Sequence, residues 1–402
     1  MYQKTDAERY GILSEMRKTG MRQQKTVRNG CDRLCSDEAR TLLGGRKLGL
    51  ITNASGVTRE LRTTSSELVR LGYDLRALFG PEHGVRTAMQ AGYSENAVYT
   101  DPETGVPVYD LFGSAEEQEK AHTAMRELDI ILFDIQDIGV RYYTYQYTMA
   151  REMRFCAEAG LPFAVLDRVN PLGGVRIDGN VLEAGCESFV GMFSIPARPG
   201  MTVGELARYF NTEENIGCSL HIIPCEGWSR ELYFDDTDLP FVLPSPNMPT
   251  LDTVIVYPGT CFLEGTALSE GRGTTKPFEL FGAPWLDTDA LLDAAGDIPT
   301  GGFLLRPCAF TPVFSKHAGV LCNGVQLHVT DREAFDAYTF GLYLLVILRR
   351  LHPDQCAFSK GLPHLVGTQK ILDPAFDPAA YLAEQEKERR AFAEKRKPYL
   401  LY

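Results

Sequence analysis

The stretch LFGPEHGVR, residues 78–86, sets a carboxylate and an imidazole side by side where the chain breaks twice. Gly80-Pro81 interrupts the apolar run ahead of it, and Gly84 turns the chain again after Glu82 and His83. A carboxylic acid gripped in this way stands where a leaving-group oxygen could receive its proton. Burial and the neighbouring imidazole would set its acidity. The bland reading is that Glu82 and His83 pair with each other to close a turn.

Other polar residues gather after apolar or extended runs, each beside Gly or Pro. They are Asn53 in ITNAS; Asp134, Gln136, Asp137 and Arg141 in FDIQDIGVRYYTY; and Asp167, Arg168 and Asn170 in LDRVNPLGG. Asn247 follows in PSPNMPT with Ser245, then Glu264, Thr266, Glu270 and Arg272 in EGTALSEGRGTT. Any one Asp at a strand end is as readily a helix cap. Six clusters at the carboxyl ends of strands converge on one rim, where open α/β sheets bind ligands. Carboxylates, amides, hydroxyls and guanidiniums beside Tyr142, Tyr143 and Tyr145 suit a hydroxyl-rich ligand such as a sugar.

Several chemistries fit poorly. No G-x-G-x-x-G joins a strand to a helix, GRGTTKP lacks the spacing of a phosphate loop, and no G-x-S-x-G elbow is present. His83 with Glu82, Asp134, Asp137 and Asp167 offers metal-ligand types, but no H-x-x-x-H or repeated carboxylate motif accompanies them. The expectation is therefore no metal and no cofactor, with a metal-dependent hydrolase kept as an alternative. A net charge of −12 argues against nucleic acid or an anionic membrane as partner. Ten scattered cysteines, no apolar leader and no long apolar run point to a cytoplasmic protein with free thiols.

The elements that must position these groups alternate. Residues 1–28 read as a polar N-terminal extension, 29–295 as an open, mostly parallel, Rossmann-like α/β sheet, and 296–402 as a smaller α+β auxiliary domain. Strands are expected in RKLGLITNAS, LRALFG, LDIILFDIQ, LPFAVLDR, SLHIIPC and DTVIVYPG. Helices are expected in TTSSELVRLGY, TYQYTMAREMRFCAEAG and MTVGELARYFN, which carry capping residues or helical apolar spacing. In the last part, GGFLLRPCAFTPVF and NGVQLHVT read as strands and DREAFDAYTFGLYLLVILRRLH as a helix.

The motifs GLITNASGV, LFGPEHGVR, TGVPVYDLFG, FDIQDIGVRYYTY, LDRVNPLGG, PSPNMPT, VYPGTCFLEGTALSEGRGTT and PFELFGAPW spread over about residues 41–290. In this series the sequence resembles the NamZ-type exo-β-N-acetylmuramidases, a glycoside hydrolase family once known only as a domain of unknown function. The resemblance implies a Rossmann-like catalytic domain, a smaller auxiliary domain and a cleft between them. It implies release of N-acetylmuramic acid from the non-reducing ends of peptidoglycan fragments, so that a small saccharide is the partner. Glu82 would be the acid/base, oriented by His83, with Glu270 the second carboxylate ahead of Glu264 and Asp137. Arg272, Arg168 or Arg141 would take the lactyl carboxylate. Two departures stand out: Arg198-Pro199-Gly200 where the family carries Arg-His-Gly, and Val169 where it carries proline. A retaining, an inverting and a substrate-assisted route are all open, as is a non-catalytic muropeptide-binding protein on the same scaffold.

Overall fold

The computed structural model describes residues 25–90, 92–93 and 98–402. Most of the expected polar extension, residues 1–24, lies outside the described residues. Its last residues belong to the fold. Lys25 and Arg28 make backbone bridges to Thr237 and Glu226, and Val27 is fully buried in a cluster with Trp228 and Phe234.

Among the described residues, the first part of the chain supplies nine strands. They are β1 (Lys47–Thr52), β2 (Asp74–Gly80), β3 (Tyr99–Thr100), β4 (Pro107–Asp110), β5 (Ile130–Asp134), β6 (Phe163–Leu166), β7 (Asp178–Val181), β8 (Pro196–Arg198) and β9 (Leu220–Ile223). Seven form one sheet in the order β3-β4-β2-β1-β5-β6-β9, and β7 and β8 form a separate antiparallel ribbon. Every neighbouring pair in the large sheet is parallel except β3 with β4.

The apolar runs explain the layering. In β1 and β5, Leu48, Leu50, Ile130 and Leu132 face a cluster containing Leu43 and Leu68. Ile51, Ile131 and Phe133 face the opposite cluster, with Met125, Met149 and Met153. Strands covered on both faces need apolar residues at every position, the mark of a doubly wound parallel sheet. The chain builds β1, β2 and β4 in one direction, then crosses back to add β5 on the other side of β1. That reversal opens a crevice at the carboxyl ends of the strands.

The helices start and stop where their caps dictate. Thr63 accepts from the Ser66 amide ahead of the helix Thr64–Arg70, and Thr202 with Glu205 makes a capping box ahead of Val203–Glu213. The helix Tyr145–Ala159 ends at Gly160, whose φ of 68° is left-handed. Among the described residues no helix is long and apolar enough to cross a membrane.

One expected strand is a helix. DTVIVYPG lies in the helix Leu251–Thr260, opened by the Thr250 side chain accepting from the Thr253 amide. Its β-branched run imitates a buried strand, but the positions left out of the buried set, Leu251, Asp252 and Ile255, share one helical face. Tertiary packing overrides propensity here. A Cβ on Gly259 would strike the Ala337 carbonyl, and one on Gly341 would strike Gly259. The two glycines therefore let this helix touch the helix Ala337–Leu351 backbone to backbone.

The smaller sheet has the order β10-β12-β11, from β10 (Leu280–Ala283), β11 (Phe303–Phe310) and β12 (Cys322–Val329), and is antiparallel throughout. Its edge strand β10 precedes residue 296, so this sheet draws on residues assigned by sequence to the first domain. The helices Ala337–Leu351 and Pro378–Arg396 complete this part.

Candidate active site

β2 delivers Glu82 and His83. The Gly84 amide donates to the Pro81 carbonyl at 2.9 Å, closing a turn over Pro81–Gly84. Within it His83 has a φ of 75°, the left-handed conformation that turns usually reserve for Gly or Asn. An L-residue pays about 1–2 kcal/mol for that conformation, so the turn stores strain where the candidate acid/base pair stands. Glu82 and His83 are both buried.

Both Glu82 oxygens are held. Oε1 accepts from the Gly92 amide at 3.0 Å, and Oε2 accepts from the Thr144 hydroxyl at 3.0 Å. His83 Nδ1 lies 2.8 Å from the Met89 carbonyl oxygen, so that nitrogen carries the proton and Nε2 the lone pair. Burial pushes the His83 pKa down and Glu82 pulls it partly back, which favours the neutral ring. The bland reading, in which Glu82 and His83 pair only with each other, does not describe the turn; each has its own partners.

These residues line a cavity of about 300 Å³. Its aromatic wall comes from three segments. Tyr143 meets Tyr145 edge-to-face at 5.1 Å and Tyr257 at 6.1 Å, and Tyr257 meets Phe278 at 4.8 Å. Arg272 lies over the Phe278 ring at 5.2 Å. Glu264 lines the cavity as well and accepts from Arg272 Nη2 at 2.6 Å. Glu270 stands behind, 3.4 Å from Arg272 Nε and 3.0 Å from Lys316 Nζ. Burial works against the Arg272 charge, but Glu264 and Glu270 more than offset it and hold its pKa up. A fixed cation, two carboxylates, an imidazole and aromatic faces can bind an anionic sugar and protonate its leaving group.

Of the residues singled out by sequence, Glu82, His83, Tyr142, Tyr143, Tyr145, Asn247, Glu264 and Arg272 line the cavity, together with Ser245. Others sit outside it with structural partners. Asp134 makes a bidentate pair with Arg168 at 2.6 and 2.9 Å and accepts from the Thr64 hydroxyl. Asp167 caps the helix Val203–Glu213 through the Gly204 amide and Thr202 hydroxyl, and also accepts from the Tyr402 hydroxyl. Burial raises its pKa to about 6. Arg141 is fully buried and donates to the carbonyls of Asn180, Ile195 and Val366. Asn170 bridges the Met201 carbonyl and the Leu172 amide, Gln136 donates to the Asp137 and Val169 carbonyls, and Thr266 closes a turn on Leu263. A strand-end position marks a polar group as fixed, and these groups are fixed to brace loops.

Asn53, Asp137 and Glu270 hold intermediate places. Asn53 donates to the Pro244 carbonyl, which also accepts from the Tyr145 hydroxyl, so it steadies the loop carrying Ser245 and Asn247. Asp137 accepts from the Gly139 amide at 2.8 Å, and burial raises its pKa to about 7. Glu270 is 2% exposed and does not line the cavity, so Glu264 is the second carboxylate that faces it. Among the described residues no group of three or more metal-ligating side chains is placed to hold an ion.

Sequence reasoning missed Thr144, Tyr257, Phe278, Met248, Phe189 and Leu365. Thr144 stands inside the quoted FDIQDIGVRYYTY, so the signal was adjacent. Tyr257 was hidden by the strand reading of its helix. Leu365 comes from the last part of the chain, with no local motif. The departing residues Val169 and Pro199 do not line the cavity: Val169 packs in the cluster of Trp228 and Phe234, and the Pro199 carbonyl accepts from Arg396.

Comparison with known proteins agrees with this architecture. Residues 48–252 match the model of the N-terminal part of exo-β-N-acetylmuramidase NamZ, and residues 255–402 match that of its C-terminal part. The chain is 45% identical over 383 residues to the peptidoglycan β-N-acetylmuramidase NamZ of Bacillus subtilis (strain 168), spanning 94% of this chain and 91% of that one. Crystal structures of two DUF1343 family proteins from Bacteroides fragilis superpose with TM-scores of 0.82 at 32% identity and 0.74 at 30% identity. Each alignment spans 94% of this chain and 99% of the other. On sequence, fold and cavity together, the chain belongs to the NamZ exo-β-N-acetylmuramidase family.

Proposed function

We propose that this protein is an exo-acting glycoside hydrolase that releases N-acetylmuramic acid from the non-reducing ends of peptidoglycan fragments, with Glu82 as its acid/base. The observation that carries the assignment of Glu82 is the pair of donors, Gly92 N–H and Thr144 O–H, that fix both of its oxygens in the cavity. A general acid must be aimed before the substrate arrives, because a misplacement of an ångström costs rate. His83 sits beside it as a neutral ring, oriented by the Met89 carbonyl at Nδ1. Arg272 is the cation for the lactyl carboxylate that distinguishes muramic acid from glucosamine, sharing its donors with Glu264. The aromatic wall takes the C–H faces of the sugar.

The substrate is a small saccharide, and no cofactor enters the scheme. All ten cysteines are free thiols, eight of them buried, the state a reducing compartment maintains. A cytoplasmic site of action on imported fragments is part of the proposal, testable by cell fractionation.

The test is hydrolysis of the disaccharide in which N-acetylmuramic acid is β-1,4-linked to N-acetylglucosamine, read by mass spectrometry with and without EDTA. The native protein should cleave it in both conditions, and Glu82→Gln should lose about 10²–10⁴-fold in kcat. Binding without cleavage by the native protein would move it to the muropeptide-binding class. Cleavage lost only with EDTA would favour a metal-dependent hydrolase.

A further inference from the structure

One large apolar side chain that lines the cavity is left mostly in the open. Phe189 is 57% exposed, although it lines the same cavity as Glu82 and Arg272. Burial would stabilise a phenylalanine ring, and this one forgoes much of that gain. A single exposed apolar residue is commonplace; what distinguishes Phe189 is how it is held. The Ser188 amide donates to the Gly191 carbonyl at 2.9 Å and the Gly191 amide donates back at 3.1 Å. The Ser188 hydroxyl also accepts from the Val190 amide at 3.3 Å. Phe189 and Val190 are thus the two tip residues of a tight, pinned turn. Val190 is partly buried, and among the described residues the ring contact of Phe189 is with Phe112, at 6.3 Å and a 50° tilt. Among the described residues Tyr93 is the one other aromatic side chain this exposed.

The geometry points to Phe189 as the platform for the sugar on the leaving-group side of the scissile bond. Arg272 and Glu82 are largely buried, and the exposed ring marks the cavity mouth. A muramic acid seated on Arg272 with its glycosidic oxygen at Glu82 therefore continues outward past Phe189. The occupant is the pyranose of the next residue, N-acetylglucosamine, whose C–H face packs on an aromatic ring as it cannot on a polar one. A ring fixed by its turn loses little conformational freedom when a sugar lands on it. This inference rests on the muramidase reading.

The experiment compares two substrates. One is the disaccharide above, and the other is β-N-acetylmuramyl fluoride, whose leaving group carries no ring. Phe189→Ala should raise KM for the disaccharide roughly tenfold, the scale of one aromatic contact, and leave KM for the fluoride unchanged. Phe189→Trp should keep the native KM for both. If Phe189→Ala moves the two KM values together, with or without a fall in melting temperature, Phe189 supports the cavity wall and the platform is refuted. The same holds if neither moves. Failure of the native protein to cleave either compound would remove the muramidase reading itself, a different result from either of these.

Discussion

Thr144 Oγ1 donates to Glu82 Oε2 at 3.0 Å, so the residue just ahead of the helix Tyr145–Ala159 holds the carboxyl that follows β2. The two elements meet because β1 alone separates β2 from β5, and the chain from β5 turns through Arg141–Thr144 over the carboxyl ends of the strands. The contact joins the two sides of the crevice at the carboxyl proposed as acid/base.

Thr144→Val keeps the shape of that side chain and removes the hydroxyl. Without it Glu82 Oε2 loses its donor and the carboxyl is held at one oxygen. The expected result is a 10- to 100-fold fall in kcat, with KM within about threefold of native, because the contact aims a reacting group. Thr144→Ser should retain most of the rate. A Val variant with native kcat would show that the Gly92 amide suffices.

Asp137 predicts a pH signature in stability. Its pKa is raised by burial to about 7, against roughly 3.9 for an unfolded aspartate. Between those values the folded state keeps a proton that the unfolded chain has released, so its contribution is full at acid pH and declines as pH rises through 7. Asp137→Asn retains the oxygen that accepts from Gly139 and cannot titrate. The native-minus-variant difference in unfolding free energy should fall by up to about 1.4 kcal/mol per pH unit across that window, then level off. His83 and Asp167 titrate in both proteins and cancel in the difference. Urea midpoints at pH 5, 6, 7 and 8 measure it, and a flat difference would contradict the burial argument.

How much of this was legible in the sequence follows from where each signal lies. The parallel sheet was readable because its strands are buried on both faces and announce themselves as unbroken apolar runs, as in IILFD of β5. The turn at Glu82 was readable because only Pro and Gly break a chain so abruptly. The helix Leu251–Thr260 was not, since its V-I-V run has strand chemistry and its helical state is decided by Gly259 meeting the distant Gly341. The same limit applied to the polar groups. Asp134 and Arg168 have the residue types of a sugar site, yet they sit 34 positions apart as a buried bidentate pair. Sequence finds groups held rigidly; it does not say whether they are held toward a ligand or toward each other.

That distinction decides between Glu264 and Glu270. Glu270 is 2% exposed with Lys316 and Arg272 as its partners, whereas Glu264 faces the cavity. If Glu270 is a support, Glu270→Gln leaves two cations facing one fewer charge, and the loss appears in stability and in binding through Arg272. Breaking a buried pair costs on the order of 3–5 kcal/mol, so the melting temperature should drop by several degrees. KM should rise on the order of 10-fold, and kcat should stay well above that of Glu82→Gln. Glu264→Gln should show the converse: a near-native melting temperature and a large loss in kcat/KM, because its carboxylate reaches the substrate's side of Arg272. Loss of kcat in Glu270→Gln equal to that in Glu82→Gln, at a native melting temperature, would return Glu270 to the chemistry. The two variants side by side, with Arg272→Lys to report loss of the guanidinium fork, separate a carboxylate that reacts from one that holds the cation in place.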